Sequence, residues 1–152
     1  MPNEVADHQD AQAIVRELTD VSYLDVLAGT KSATVLADPH APDMPLFFVN
    51  DAFLQLTGYS RDEVVGRNCR FLQGDDTDQS ELDRLRTALR ERTSCVVELL
   101  NYRKDGTPFW NSLHVSPVHS PDGKLVCFKA IQTDVTDVVA PRDEGQMRNA
   151  LA

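Results

Sequence analysis

The 152-residue chain lacks the features that would place it in a membrane, on a nucleic acid or on a secretory route. No apolar run is longer than that of Leu46–Val49, whereas a membrane-spanning helix needs about 18 apolar residues. The first ten residues are acidic and polar, unlike a signal peptide. Positive charge is also scarce, since 15 Lys and Arg face 24 Asp and Glu. The resulting net charge of −9 disfavours direct binding to nucleic acid or to an anionic membrane.

Cysteine is scarce too, and the standard catalytic motifs are absent. Cys69, Cys95 and Cys127 are odd in number and have no CxxC spacing, which excludes a disulfide framework and indicates a reducing, cytoplasmic location. No histidine has metal-ligand spacing with them, so no metal site is predicted. The chain contains no GxSxG, GxGxxG, Walker or HExxH motif, so the corresponding enzyme classes are not indicated.

The elements that are present form an α+β pattern. We predict a helix over residues 10–27, then two strands, several short helices, a longer helix and three strands. This order is typical of a single five-stranded antiparallel sheet with short helices on one face. The predicted strands are 32–37, Leu46–Val49, Cys95–Tyr102, 107–118 and 125–133, and the predicted helices of the core are Asp51–Thr57, a segment from Ser60 to Gly66, 68–73 and 80–92. Ser60 with Glu63 and Ser80 with Asp83 are predicted capping boxes.

The chain therefore divides into three parts. Residues 1–31 form an N-terminal extension with an amphipathic helix, 32–136 form the core, and 137–152 form a tail with room for another turn or two of helix. The apolar stripe of the first helix consists of Ile14, Leu18, Val21, Leu24 and Leu27. Such a stripe either packs on its own sheet or binds a partner, and the sequence leaves both readings open.

Three carboxamides fall on the inward face of the last three strands. Period-two alternation places Asn101, Asn111 and Gln132 beside the apolar residues of their strands. A buried amide that lacks a partner costs about 1–3 kcal/mol. The three amides therefore either bond to each other and to backbone, or bind the polar edge of a ligand. Cys95 and Cys127 are assigned to the opposite face as structural residues.

Two arginines and a cysteine each have two interpretations, one structural and one functional. Arg86 lies at the edge of the apolar stripe of helix 80–92, and Arg70 lies in segment 68–73. Each is either a solvated surface arginine or part of a clamp for an anion such as phosphate. Cys69, next to Arg70, is either a small buried hydrophobe or a reactive thiol.

The nine residues GRNCRFLQG at 66–74 resemble the signature of the LOV domains, the blue-light-sensing branch of the PAS fold. The similarity continues in NDAF at 50–53, TGYS at 57–60, NYRKDG at 101–106, FWN at 109–111 and DVT at 134–136. It covers about residues 33–136. Ala37, Met44, Leu113 and Ala130 depart from the residues that are frequent in the family.

The resemblance implies a PAS fold, a non-covalently bound FMN and a light-driven, reversible bond between Cys69 and flavin carbon C4a. It also implies that Gln132 relays the signal, because its amide reorients when flavin N5 becomes protonated. The phosphate would be held by Arg70 and Arg86, the ribityl chain and ring by Asn68 and Gln73, and the polar ring edge by Asn101, Asn111 and Gln132. The implied apolar walls are Val35, Leu72, Leu82, Leu85, Leu89, Leu113, Val115, Phe128 and Ala130.

The function implied in this way is that of a short, bacterial-type blue-light photoreceptor that is not an enzyme. No effector pattern fits the flanks, so the signal is expected to leave through the flanking helices, a homodimer, a monomer–dimer exchange or a separate protein partner. Two alternatives remain, a flavin-binding redox protein and a chromophore-free PAS interaction module. The colour and the light response of the purified protein distinguish the three.

Overall fold

The computed structural model describes residues 22–139, and the α+β prediction is confirmed. The strands are β1 (Ala33–Ala37), β2 (Leu46–Val49), β3 (Cys95–Tyr102), β4 (Pro108–His119) and β5 (Leu125–Asp134). The helices are α1 (Ser22–Gly29), α2 (Asp51–Thr57), α3 (Arg61–Val64), α4 (Gln79–Glu91) and α5 (Thr136–Val139), with a 3₁₀ turn at Cys69–Leu72. Ile14, Leu18 and Val21 of the predicted stripe lie outside the described residues.

The sheet is antiparallel throughout and has the strand order β2-β1-β5-β4-β3. The last strand is therefore central and pairs with both β1 and β4. Its register aligns Ala130 with Val35 on one side and with Val115 on the other. Three apolar side chains thus form a row across the inner face of the sheet, which α4 and the 3₁₀ turn help to cover.

Asn50 joins three elements at one end of the sheet. Its Oδ1 accepts from Phe53 N at 3.1 Å, which caps α2, and from Thr34 N at 2.9 Å, which fixes β1. Its Nδ2 donates to Leu27 O and to Ser32 O at 2.9 and 2.8 Å. One buried amide therefore ties the end of α1 to the core, as expected for a polar group that must be satisfied inside.

The predicted capping box at Ser80 is wrong, because the helix begins earlier. Asp78 is the N-cap of α4, and its Oδ1 accepts from Ser80 N at 2.8 Å and from Ser80 Oγ at 2.7 Å. A carboxylate two residues before Ser80 reaches the free amide directly, so the serine hydroxyl serves as a donor to the cap. The predicted capping box of Ser60 with Glu63 is confirmed, since Glu63 accepts from Ser60 N at 2.9 Å.

The end of α1 contacts the outer face of the sheet, opposite the short helices of the core. Leu27 packs against a cluster of Leu36, Val126 and Cys127, whereas Val26 is 64% exposed. Leu27, the last residue of the predicted stripe, therefore packs on its own sheet. Within residues 22–139, none of the helices combines the length and the apolar character that crossing a bilayer requires.

Gly74 is a position where the fold leaves no room for a side chain. A Cβ at this residue would lie 2.3 Å from Cε2 of Tyr102, whose ring packs against Leu100 and Trp110. We expect Gly74→Ala to lower the free energy of unfolding by about 1–3 kcal/mol, because the ring or the backbone must move. Urea unfolding followed by circular dichroism measures the change.

The matched control is Gly29→Ala at the end of α1, where a Cβ would meet nothing within 4 Å. Its effect should stay within about 0.5 kcal/mol. Equal unfolding midpoints for the two variants would show that the Tyr102 ring moves aside at no cost.

Candidate ligand-binding site

A cavity lies between the inner face of the sheet and the layer formed by α4 and the 3₁₀ turn. It brings together most of the predicted site residues, namely Val35, Asn68, Cys69, Arg70, Leu72, Gln73, Leu85, Leu89, Asn101, Asn111, Leu113, Val115, Phe128 and Ala130. Four further lining residues were not among the predicted site residues: Ala37, Met44, Leu46 and Leu99. Three of these lie on strands, where alternation offered a signal, whereas Met44 lies in the loop between β1 and β2.

Cys69 begins the 3₁₀ turn and lines the cavity. Asn68 caps this turn, because its Oδ1 accepts from Arg70 N at 2.9 Å. Burial raises the pKa of the Cys69 thiol to about 12. The thiol is therefore protonated at neutral pH, so it faces the cavity as S–H and not as a thiolate.

The amide cluster is only partly satisfied by its own members. Asn111 Nδ2 donates to Asn101 Oδ1 at 3.0 Å, and Asn101 Nδ2 donates to Leu100 O at 3.3 Å. Asn111 Oδ1 and both amide atoms of Gln132 are buried and have no hydrogen-bond partner among residues 22–139. Each unpaired atom costs about 1–3 kcal/mol, so a ligand that supplies donors and acceptors here would recover that energy.

Leu82 and Gln132 are not cavity walls but lie next to them. Leu82 is buried in a cluster with Val97 and Leu99, of which Leu99 lines the cavity. Gln132 follows Ala130 by two residues on the same face of β5 and pairs with Leu113 of β4. The structure therefore places Gln132 at the edge of the site, where its amide extends the polar group of Asn101 and Asn111.

The two arginines of the predicted clamp each bind a carboxylate. Arg70 lines the cavity, and both of its terminal nitrogens donate to the Asp43 carboxylate, at 2.7 and 2.6 Å. Arg86 is mostly exposed and donates to Asp83 of its own helix at 3.1 Å. Each guanidinium group therefore binds a nearby carboxylate, and of the two arginines only Arg70 is a wall of the cavity.

The assignment of Cys95 to the face opposite the amides is wrong. It packs against the inner cluster and pairs with Val115, so it shares the face of the amides. The reason is simple parity, since residues 95, 97, 99 and 101 of one strand point to the same side. Cys127 lies on the outer face, as expected. Within residues 22–139, no group of three or more His, Cys, Asp or Glu side chains could hold a metal ion.

Comparison with known proteins identifies relatives of this arrangement. Residues 32–137 match the model of a family described as PAS domain. The chain is 49% identical over 130 residues to blue-light-activated histidine kinase 1 of Erythrobacter litoralis (strain HTCC2594), a match that covers 86% of this chain and 36% of the kinase. The chain thus spans about a third of that relative's length.

Two solved structures are similar in fold and in sequence. The LOV domain from the Erythrobacter litoralis EL346 blue-light activated histidine kinase has a TM-score of 0.67 and 46% identity, covering 69% of this chain and 96% of that one. A structure described as "Flavin Analogue Sheds Light on Light-Oxygen-Voltage Domain Mechanism" has a TM-score of 0.75 and 37% identity, covering 86% and 97%.

Proposed function

Because this chain is a LOV domain of the PAS superfamily, we propose that it is a blue-light receptor that binds FMN and forms a reversible bond between Cys69 and the flavin. One observation carries the proposal. A protonated thiol and the unpartnered oxygen of Asn111 line one apolar cavity, and the unpartnered amide of Gln132 lies next to its walls. The blue-light relatives support the same function.

The residues present suit a flavin ring. Apolar side chains from the sheet and from α4 form two walls between which a flat aromatic ring packs well, among them Val115, Phe128 and Leu85. The polar edge of the ring carries carbonyl oxygens and ring nitrogens. The Asn111 oxygen accepts, and the Gln132 amide both donates and accepts, so these side chains complement both kinds of group.

The chemistry would then be divided between cofactor and chain. A bound flavin supplies absorption of blue light and a ring carbon that accepts sulfur. Cys69 supplies both the sulfur and, because burial keeps its thiol protonated, the hydrogen taken up by the neighbouring ring nitrogen. In darkness Cys69 would take back its proton as the sulfur–carbon bond breaks, so no external reductant or oxidant would be required.

Gln132 is suited to carry the change away from the cavity. Its strand ends at Asp134, whose carboxylate accepts from Thr136 N at 3.0 Å and from Arg103 Nη2 at 2.9 Å. Thr136 Oγ1 in turn accepts from Trp110 N at 2.9 Å. Gln132 lies four residues before the start of α5, and the hydrogen bonds of Asp134 and Thr136 connect this end of β5 to α5 and to β4. A change in the orientation of the Gln132 amide would therefore act close to α5.

The flanking helices are the output surface that we propose. Val26 of α1 is 64% exposed and Val138 of α5 is 67% exposed, so both helices carry apolar side chains in solvent. A second copy of the chain, in a homodimer or a monomer–dimer exchange, or a separate signalling protein would cover them. Regulation of a kinase, as the name of the relative suggests, is one such output.

The test is the light response of the purified full chain. We expect a yellow protein whose visible absorbance is lost under blue light and returns in darkness, because the bond to sulfur interrupts the conjugation of the flavin. Chromatography of the released cofactor identifies the flavin, and the denatured protein in the same light is the control. A yellow protein that does not bleach would support a redox protein. A protein that stays colourless after incubation with FMN would support a chromophore-free PAS module.

A further inference from the structure

The loop between β1 and β2 places a carboxylate at the rim of the cavity. Asp43 Oδ1 accepts from Arg70 Nη2 at 2.6 Å, and Asp43 Oδ2 accepts from Arg70 Nη1 at 2.7 Å. The Arg70 and Asp43 side chains are 57% and 62% exposed, so the pair lies where the cavity meets solvent. Of Arg70 and Asp43, only Arg70 lines the cavity.

The loop is held in this position by contacts from the cysteine turn. Asp43 and Met44 both have left-handed backbone, with φ of 65° and 47°, which non-glycine residues rarely adopt. Asn68 Nδ2 donates to Asp43 O at 2.7 Å, and Met44 N donates to Ala41 O at 3.1 Å. Strained backbone persists only where its surroundings fix it, and here the fixing residue is the cap of the Cys69 turn.

We propose that Asp43 is a specificity-determining residue that lowers the preference of the site for a phosphorylated flavin over the same flavin without its phosphate. This inference rests on the proposed function. The carboxylate binds the fork of guanidinium nitrogens that a phosphate would use, so the phosphate must share or displace it. Its negative charge also repels a phosphate dianion bound to the same arginine.

The second arginine, Arg86, does not supply an unpaired guanidinium group for the phosphate. Arg86 donates to Asp83 of its own helix through Nη1 at 3.1 Å and is not a wall of the cavity. A phosphate would therefore compete with a carboxylate at either arginine. The apolar walls and the amides would hold the flavin ring, which FMN and riboflavin share, so Asp43 acts on the choice between the two flavins and not on ring binding.

The variant Asp43→Asn separates the effect of the Asp43 charge from the effect of its hydrogen bonds to Arg70. Asparagine keeps an oxygen that accepts from Arg70 and tolerates left-handed backbone, but it removes the charge. We expect the FMN dissociation constant to fall about tenfold while that of riboflavin stays within about twofold. The gain should shrink in high salt, because the pair is exposed and screening weakens the repulsion.

The experiment is a titration of the flavin-free full chain with FMN and with riboflavin, at low and high salt, for the wild type and two variants. The matched control is Asp51→Asn, which removes another exposed carboxylate paired with an arginine, Arg61, at 3.2 Å. Its FMN-to-riboflavin preference should equal that of the wild type. Riboflavin affinity serves as the internal check on folding, because a misfolded site loses both ligands.

The outcomes are distinct. An unchanged or smaller preference for FMN in Asp43→Asn, with the wild type binding flavin, overturns this inference alone and indicates that Asp43 positions Arg70 for the phosphate. A wild type that binds neither flavin overturns the proposed function as well. A larger preference for FMN, confined to Asp43→Asn and reduced by salt, supports the inference.

Discussion

Replacing Cys69 by alanine is expected to abolish light-induced bleaching of the bound flavin while leaving flavin binding in darkness nearly unchanged. The thiol is the only group of this residue that the proposed reaction uses, and it supplies both the sulfur and the proton. The walls and amides that hold the flavin remain, since Cys69 is one of many lining residues. Absorption spectra in darkness and under blue light measure the loss, and flavin fluorescence should rise because excitation no longer ends in bond formation.

Cys95→Ala is the matched control for this prediction. Cys95 lies on the same face of the sheet and is partly buried, yet it is not a wall of the cavity. Its variant should bleach and recover as the wild type does. If Cys69→Ala still formed a long-lived bleached state under blue light, the bond would have to be assigned to another nucleophile.

Gln132→Leu is expected to separate the chemistry from the signal. The variant should bleach normally, because Cys69 is intact, but the light-induced change in the flanking helices should be lost. When the flavin nitrogen gains a proton it changes from acceptor to donor, and an amide answers by presenting its oxygen instead of its nitrogen. Leucine has neither atom. The stability of the flavin-free protein should change little, because the substitution also removes two buried atoms that lack partners among residues 22–139.

Hydrogen exchange in darkness and under blue light measures this loss at α1 and α5. Gln55→Leu, the same chemical change at an exposed position of α2, is the control and should respond as the wild type does. A wild-type-sized change in the exchange of α5 in Gln132→Leu would remove Gln132 from the relay. The signal would then have to leave through other residues around the cavity.

Much of the fold could be predicted because its determinants are local. The caps at Asn50 and Ser60, and the left-handed glycines Gly106 and Gly123 in the hairpin turns, act within a few residues. Strand ends were predicted to within one residue for the same reason, since turn signals flank each strand. The error at Ser80 is also local, because two side chains near one helix start can cap it and the geometry selects Asp78.

The partners of the charged residues could not be predicted in this way. Arg70 binds Asp43, which is 27 residues away in the sequence, and Arg103 binds Asp134, which is 31 residues away. An ion pair depends on which loops meet in space, and many carboxylates were available in this acidic chain. The predicted arginine clamp likewise depends on contacts between segments that are far apart in the sequence.

The sequence by itself determined which side chains face inward, because the alternation of a strand has a period of two whatever the strand pairs with. It thereby placed Asn101, Asn111 and Gln132 on the inner face, and the segment around Cys69 carried the family resemblance. Only the tertiary structure decided which of these polar atoms are satisfied. Asn111 bonds to Asn101 across the hairpin, while Gln132 on the central strand finds no partner within residues 22–139. Pairing of this kind depends on distances between strands that only the folded sheet sets.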